Sequence, residues 1–124
     1  MKEIYAIIRI NQVSDTKEAL KTIGFPAVTV TPVMGRGKQK GLVDEITFQL
    51  SPETIKKAKQ GGGMKYIPKH MLFIVVDDSA VPMVVETIIK VNQTGNIGDG
   101  RIFICPVEEA IRIRTGEKGT QALI

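Results

Sequence analysis

The order of local signals along the chain predicts an α+β fold of the ferredoxin-like kind: βαβ-βαβ, an antiparallel sheet with two helices on one face. Three observations carry this. Runs rich in β-branched and apolar residues lie at 2–9, 27–34, 67–76 and 101–107. A helical period separates the first run from the second and the third from the fourth, at 13–23 and 80–91. A long stretch without clear period, 42–66, parts the halves. Only the order of elements repeats; the residues themselves do not.

Residues 2–9 alternate loosely and are rich in Ile, as in a strand buried on at least one face. At 13–23, Val13, Ala19, Leu20 and Ile23 share one side of a helix, Lys17 and Glu18 face solvent, and Ser14 is the expected N-cap. Gly24 ends that helix and Phe25-Pro26 forces an extended exit. Residues 27–34 alternate apolar side chains with threonines. Gly35-Arg36-Gly37-Lys38-Gln39-Lys40-Gly41 then breaks the pattern with small and basic residues. Within 42–66, Ser51-Pro52-Glu53 reads as a helix opening into the basic 54–59, which Gly61-Gly62-Gly63 breaks. So long a loop in a compact domain is functional or disordered. Residues 67–76 form a continuous apolar strand. Asp77, Asp78 and Ser79 offer N-caps to the helix 80–91, where Val81, Val84, Val85, Ile88 and Ile89 fit one face. A strand at 101–107, a short run at 108–114 and the turn Thr115-Gly116-Glu117-Lys118-Gly119 follow. Strands this apolar predict that a partner subunit covers the face without helices.

With 124 residues and 43% hydrophobic content the chain builds one core and is not globally disordered. No run approaches the roughly 20 apolar residues of a membrane span. Met1-Lys2-Glu3-Ile4-Tyr5 is no signal peptide, and the single Cys105 suits a reduced thiol, so a cytoplasmic location without membrane insertion is expected. The net charge of +4 suits an anionic ligand. It is too mild for a nucleic-acid partner, and the absence of Trp also argues against base stacking.

The most informative stretch is Thr94-Gly95-Asn96-Ile97-Gly98-Asp99-Gly100-Arg101-Ile102-Phe103-Ile104. Its glycines permit a tight turn whose N–H groups approach an anion, and Arg101 adds a cationic fork. A plain glycine-rich turn fits the same pattern. The spacing is not the dinucleotide fingerprint, and the Lys-Ser/Thr ending of a P-loop is missing. Gly35 to Gly41 reads either as a solvated basic turn or as an anion-binding hinge, with Gln39 offering its amide to a metal or a carboxylate. Alternation along a strand places Arg112 and Arg114 on one face, as an anion clamp or as an edge strand's solvent face. Lys69, just past the long loop, points into the same site or is a surface lysine. His70 reads as an ordinary strand histidine, Cys105 as a small core residue and Asp77-Asp78 as a cap. With a single His there is no nucleophile–base constellation, which favours a sensor over an enzyme.

These residues together resemble the PII signal-transduction proteins of nitrogen metabolism. The likeness is carried by Ala6-Ile7-Ile8-Arg9, Gly24, Thr29-Val30-Thr31, the Gly35 to Gly41 string, Pro68-Lys69, the 94–104 stretch and Ile111-Arg112-Ile113-Arg114-Thr115-Gly116-Glu117. It implies a single PII-like domain over 1–124 with a T-loop at about 36–66, a B-loop at 94–101 and a C-terminal loop at 112–119. It implies a homotrimer with ATP or ADP in three clefts between subunits. Thr29, Gly35, Arg36, Gly37, Lys38 and Gln39 then contact nucleotide from the T-loop base, as do Thr94, Gly95, Gly98, Asp99, Gly100 and Arg101 from the B-loop. Arg112 and Arg114 reach the phosphates from the neighbouring subunit. Gln39 joins Mg²⁺ to the phosphates and 2-oxoglutarate, and Lys40, Gly41 and Lys69 complete the 2-oxoglutarate site.

The uridylylated members carry a tyrosine motif in the T-loop, which 42–66 lacks; Tyr66 stands at its end, so no uridylylation is expected. The long, Lys-rich loop looks like the longer-looped paralogue of the nitrogenase-associated branch. That implies a nitrogen-status regulator, not an enzyme, that inhibits nitrogenase when 2-oxoglutarate is low, alone or mixed with its paralogue. A PII regulator of an ammonium transporter or a nitrogen-assimilation enzyme is the alternative.

Overall fold

The alternation of the first strand decides where the core lies. In a computed structural model, which describes residues 1–36 and 66–124, β1 (Lys2–Ile8) turns Ile4, Ala6 and Ile8 to one side, all buried, and Tyr5 and Ile7 to the other. Next come α1 (Val13–Thr22), β2 (Thr29–Gly35), β3 (Ile67–Val76), α2 (Val81–Asn92) and β4 (Arg101–Pro106). The sheet runs β2-β3-β1-β4 with every neighbouring pair antiparallel. This is the expected ferredoxin-like α+β arrangement. β1 and β3 are central, which accounts for their continuous apolar character; β2 and β4 are edges.

Both helices contribute to one core. Leu20 of α1 and Val84 and Ile88 of α2 join Ile4, Ala6, Ile8, Leu72, Ile74 and Val76 in a single buried cluster. Each such Leu, Ile or Val contributes about 1.5–3 kcal/mol by leaving water. A buried polar tie joins the helices. Thr16 Oγ1 donates to the Gln12 carbonyl at 2.7 Å and accepts from Asn92 Nδ2 at 3.0 Å. Asn92 closes α2, so the tie fixes where the 94–101 loop begins. Asp77 accepts from Ser79 and caps the short turn into α2, as expected of a cap; the Ser79 hydroxyl holds its carboxyl below the usual range.

Several local expectations are corrected. Ser14 does not cap α1: the turn Ile10–Gln12 leads straight into the helix, Gln12 is the capping position, and Ser14 lies in the first helical turn. The run 108–114 is not a strand. Ile111 forms one isolated bridge with Lys118, and the chain folds back so that the Gly116 N–H donates to the Arg112 carbonyl at 2.7 Å. Arg112 and Arg114 therefore lack the alternation that would align them. Cys105 pairs with Glu3 on the face away from the helices and is half-buried, so it is no core residue. The expectations at 37–65, including the basic helix and the glycine triplet, lie outside the described residues.

The face opposite the helices is apolar. Tyr5, Ile7, Met71, Phe73 and Phe103 alternate onto it, with the Tyr5 and Phe73 rings 5.1 Å apart. Phe103 keeps 48% of its surface exposed, and α1 and α2 pack on the other face.

Candidate functional site

The 94–101 loop is shaped by its own aspartate. Asp99 accepts from the Thr94 N–H at 2.8 Å, the Gly95 N–H at 2.9 Å and the Thr94 hydroxyl. These bonds, the Thr94 hydroxyl foremost and then Arg9, hold its carboxyl well below the usual carboxylate range. Arg9, just past β1, places Nη1 2.7 Å from Asp99 Oδ1 and donates from Nη2 to the Ile97 carbonyl at 3.2 Å. The Asn96 N–H donates to Thr94 Oγ1. The N–H groups of 94–96 are thus engaged inside the loop, and only the later part of the loop remains to face an incoming anion.

Gly100 is where the loop closes on the sheet. Its φ is +112°, and a Cβ there would stand 1.9 Å from the carbonyl oxygen of Ile7. Only glycine permits both the left-handed turn and this approach. The next residue, Arg101, pairs with Ile7 at the start of β4. Lys69 reaches the loop from β3, where it is opposite Val33 and only 9% exposed; its Nζ donates to the Gly98 carbonyl at 2.8 Å. A buried ammonium requires such a partner.

These elements bound a cavity of about 540 Å³ on the helix-free side of the sheet. Gly35, Arg36, Lys69, Gly98, Gly100 and Arg101 line it, with Ile7, Ile67, Ile97 and Phe103 as its apolar part. Among the described residues lining this space three are cations and none is a carboxylate, a field suited to a polyanion with an apolar moiety.

The fold therefore brings together six of the expected site residues and places Thr94, Gly95 and Asp99 behind them in the loop. Thr29 opens β2 opposite Phe73, about 20 Å of strand away from Gly35. Arg112 and Arg114 do not line the cavity. Arg112 pairs with Glu117 at 2.9 Å and donates to the Gln121 and Ile124 carbonyls, and Arg114 is exposed. Gly37, Lys38, Gln39, Lys40 and Gly41 lie outside the described residues. The sequence reading missed Arg9 and the apolar lining. The lining residues do fall on one alternation face of their strands, but nothing local marks Arg9, whose partner is 90 positions away.

The model of the family "Nitrogen regulatory protein P-II" matches residues 1–117. A "Nitrogen fixation nifHD region GlnB-like protein 2" of Methanothermococcus thermolithotrophicus is 55% identical over 128 residues, covering 99% of this chain and 98% of that protein. The protein of Methanosarcina barkeri named for the nifHD1 region is 52% identical over 99% of both chains. The nitrogen regulatory protein P-II of Nostoc punctiforme is 44% identical over 99% of this chain and 100% of its own. Among solved structures, Arabidopsis thaliana PII bound to citrate superposes with a TM-score of 0.72 at 34% identity, covering 98% of this chain and 88% of that one. Fold, loop and likeness over nearly the whole length agree, and the chain belongs to the nitrogen regulatory protein P-II family, a family of regulators.

Proposed function

We propose that this protein senses nitrogen status by binding ATP or ADP, with Mg²⁺, together with 2-oxoglutarate in clefts between the subunits of a trimer, and that it restrains nitrogenase while 2-oxoglutarate is low. The observation that carries the reading is the cavity where Arg36, Lys69 and Arg101 meet the 98–101 turn. Phosphates and carboxylates fit such a field, and Ile7, Ile67 and Phe103 offer an apolar wall to a base. The likeness to a PII protein whose solved structure holds citrate supports affinity for a polycarboxylate. No cluster of three metal-ligating side chains exists among the described residues. Mg²⁺ would thus be carried by the phosphates, with Gln39 as its protein ligand.

The uncovered apolar face supports a closed oligomer of like subunits. Thr29, Arg112 and Arg114, apart from the cavity in one chain, then serve a neighbour's cleft. Relatives at about half identity bear names that place them in nitrogen-fixation gene regions, which supports nitrogenase as the target. Regulation is a population shift: 2-oxoglutarate with Mg-ATP and the docked target prefer different states of the 36–66 loop.

The test is a nitrogenase complex captured on this protein. It should dissociate when 2-oxoglutarate and Mg-ATP are added together. A complex indifferent to 2-oxoglutarate refutes the sensor mechanism for this target.

A further inference from the structure

We propose that Arg9 is a positioning residue for nucleotide binding: it holds the 94–101 loop in its anion-receiving shape through Asp99 and Ile97, and sets affinity without meeting the nucleotide. The inference rests on the reading of that loop as a phosphate loop.

Three features support it. First, the contact is well screened from water. The Arg9 side chain is 12% exposed and Asp99 23%, with 2.7 Å between Nη1 and Oδ1. Removing one partner of such a pair strands the other's charge. Second, Asp99 passes the restraint on. Its oxygens also hold the N–H groups of Thr94 and Gly95, while Arg9 Nη2 takes the Ile97 carbonyl. One guanidinium at the end of a central strand thus fixes both the beginning and the tip of the loop. Third, the loop residues that face the cavity are Ile97, Gly98, Gly100 and Arg101, and Arg9 is not among the described residues lining it.

Charge gives Arg9 a second task. Asp99 is the only carboxylate in the loop. Paired with Arg9, the Asp99 charge is met inside the loop rather than by the cations Arg36, Lys69 and Arg101 that line the cavity. Lysine at this position keeps the charge but lacks the fork that spans Asp99 and Ile97.

The experiment is ATP titration calorimetry on the full chain as wild type, Arg9→Lys, Arg9→Met, Asp99→Asn and the Arg9→Met/Asp99→Asn double variant, each checked for melting temperature and oligomeric state. Amide hydrogen exchange of the unliganded proteins reads the loop directly. Arg9→Met should weaken ATP binding by about tenfold or more, the worth of one charge-assisted hydrogen bond, and Arg9→Lys should recover part of it. Adding Asp99→Asn to Arg9→Met should change little, because the pair acts as a unit. The Thr94 and Gly95 amides should exchange about tenfold faster in Arg9→Met, with β1 and β3 unchanged. Additive losses with slow loop amides overturn the proposal and mark Arg9 as a direct contact. Wild-type protein that takes up no ATP overturns the phosphate-loop reading instead, and the exchange data still decide whether Arg9 shapes the loop. If Arg9→Met does not fold, Arg9→Lys carries both readouts.

Discussion

Alanine at Gly100 would place a methyl group where the backbone of β1 already is. Two costs combine. The φ of +112° is one that a residue with a Cβ holds at about 1–3 kcal/mol. The Cβ would also lie 1.9 Å from the Ile7 oxygen and 3.0 Å from its carbon, far inside the roughly 3.5 Å of a normal contact. These are backbone atoms of a central strand, paired with both β3 and β4, so no side chain can swing aside. Overpacking of this kind costs a further ~1–3 kcal/mol. The sum, about 2–6 kcal/mol, is a large part of the roughly 5–15 kcal/mol that holds a domain together.

Gly95→Ala is the internal control. Its φ is +86°, yet nothing lies within 4 Å of the added carbon. Only the conformational cost of about 1–2 kcal/mol applies. Urea unfolding of both variants at one fixed protein concentration gives the difference, which isolates the contact with Ile7. ATP titration of the same samples reports whether Arg101, paired with Ile7, has moved. Equal destabilisation of the two variants would refute the close approach of loop and strand.

Two further outcomes are expected. Lys69→Ala should weaken 2-oxoglutarate binding by about tenfold or more and ATP binding by a smaller factor, through the lost bond to the Gly98 carbonyl; equal losses of both in calorimetry refute the placement of this lysine. The second concerns acid. Because the folded carboxyl of Asp99 sits below its unfolded value of about 3.9, its stabilising effect is complete above that value and is lost as pH falls toward the folded one. The groups facing it are the Arg9 guanidinium, the Thr94 hydroxyl and two backbone N–H groups, none of which titrates in that range. The stability gap between wild type and Asp99→Asn should be constant from pH 7 to 5 and narrow below about pH 4; a gap of the same size at pH 6 and pH 3 refutes the role of the carboxylate.

The fold was legible because its signals are local. The alternation of Ile4, Ala6 and Ile8 and the helical spacing of Val84 and Ile88 both survive into the core. Boundaries were less so: α1 starts after a short turn rather than on a Ser14 cap, and that choice depends on how Gln12 meets Thr16. In the site, the glycines marked the turn, and Gly98, Gly100 and Arg101 do line the cavity. The internal engagement of Asp99 and the part of Arg9 were not legible, since they arise from residues brought together only by sheet register. The run at 108–114 misled because its alternating Ile and Arg imitate a strand, while Gly116 allows the chain to turn back and Glu117 pairs with Arg112.

The separation of the expected ligand residues within one chain has a mechanical meaning on the proposed reading. The loop is fixed to the sheet by Lys69 of β3, which holds Gly98, and by Arg9 just past β1, which holds Asp99. The part of the site that one chain builds alone is therefore preorganised, and binding there costs little ordering. Arg112 is held differently. Its partners, the Glu117 carboxylate (side-chain exposures 22% and 40%) and the Gln121 and Ile124 carbonyls, all belong to its own C-terminal segment rather than to the sheet. The segment that carries it leaves the sheet where β4 ends beside Lys2, at the edge away from β2. In a closed ring of like subunits the same two surfaces meet at every interface. A rigid cavity from one chain would then face, from the next, an arginine held only by its own C-terminal segment. A nucleotide phosphate that takes Arg112 must replace Glu117 and the Gln121 and Ile124 carbonyls as its partners, and can do so without disturbing the loop that received it.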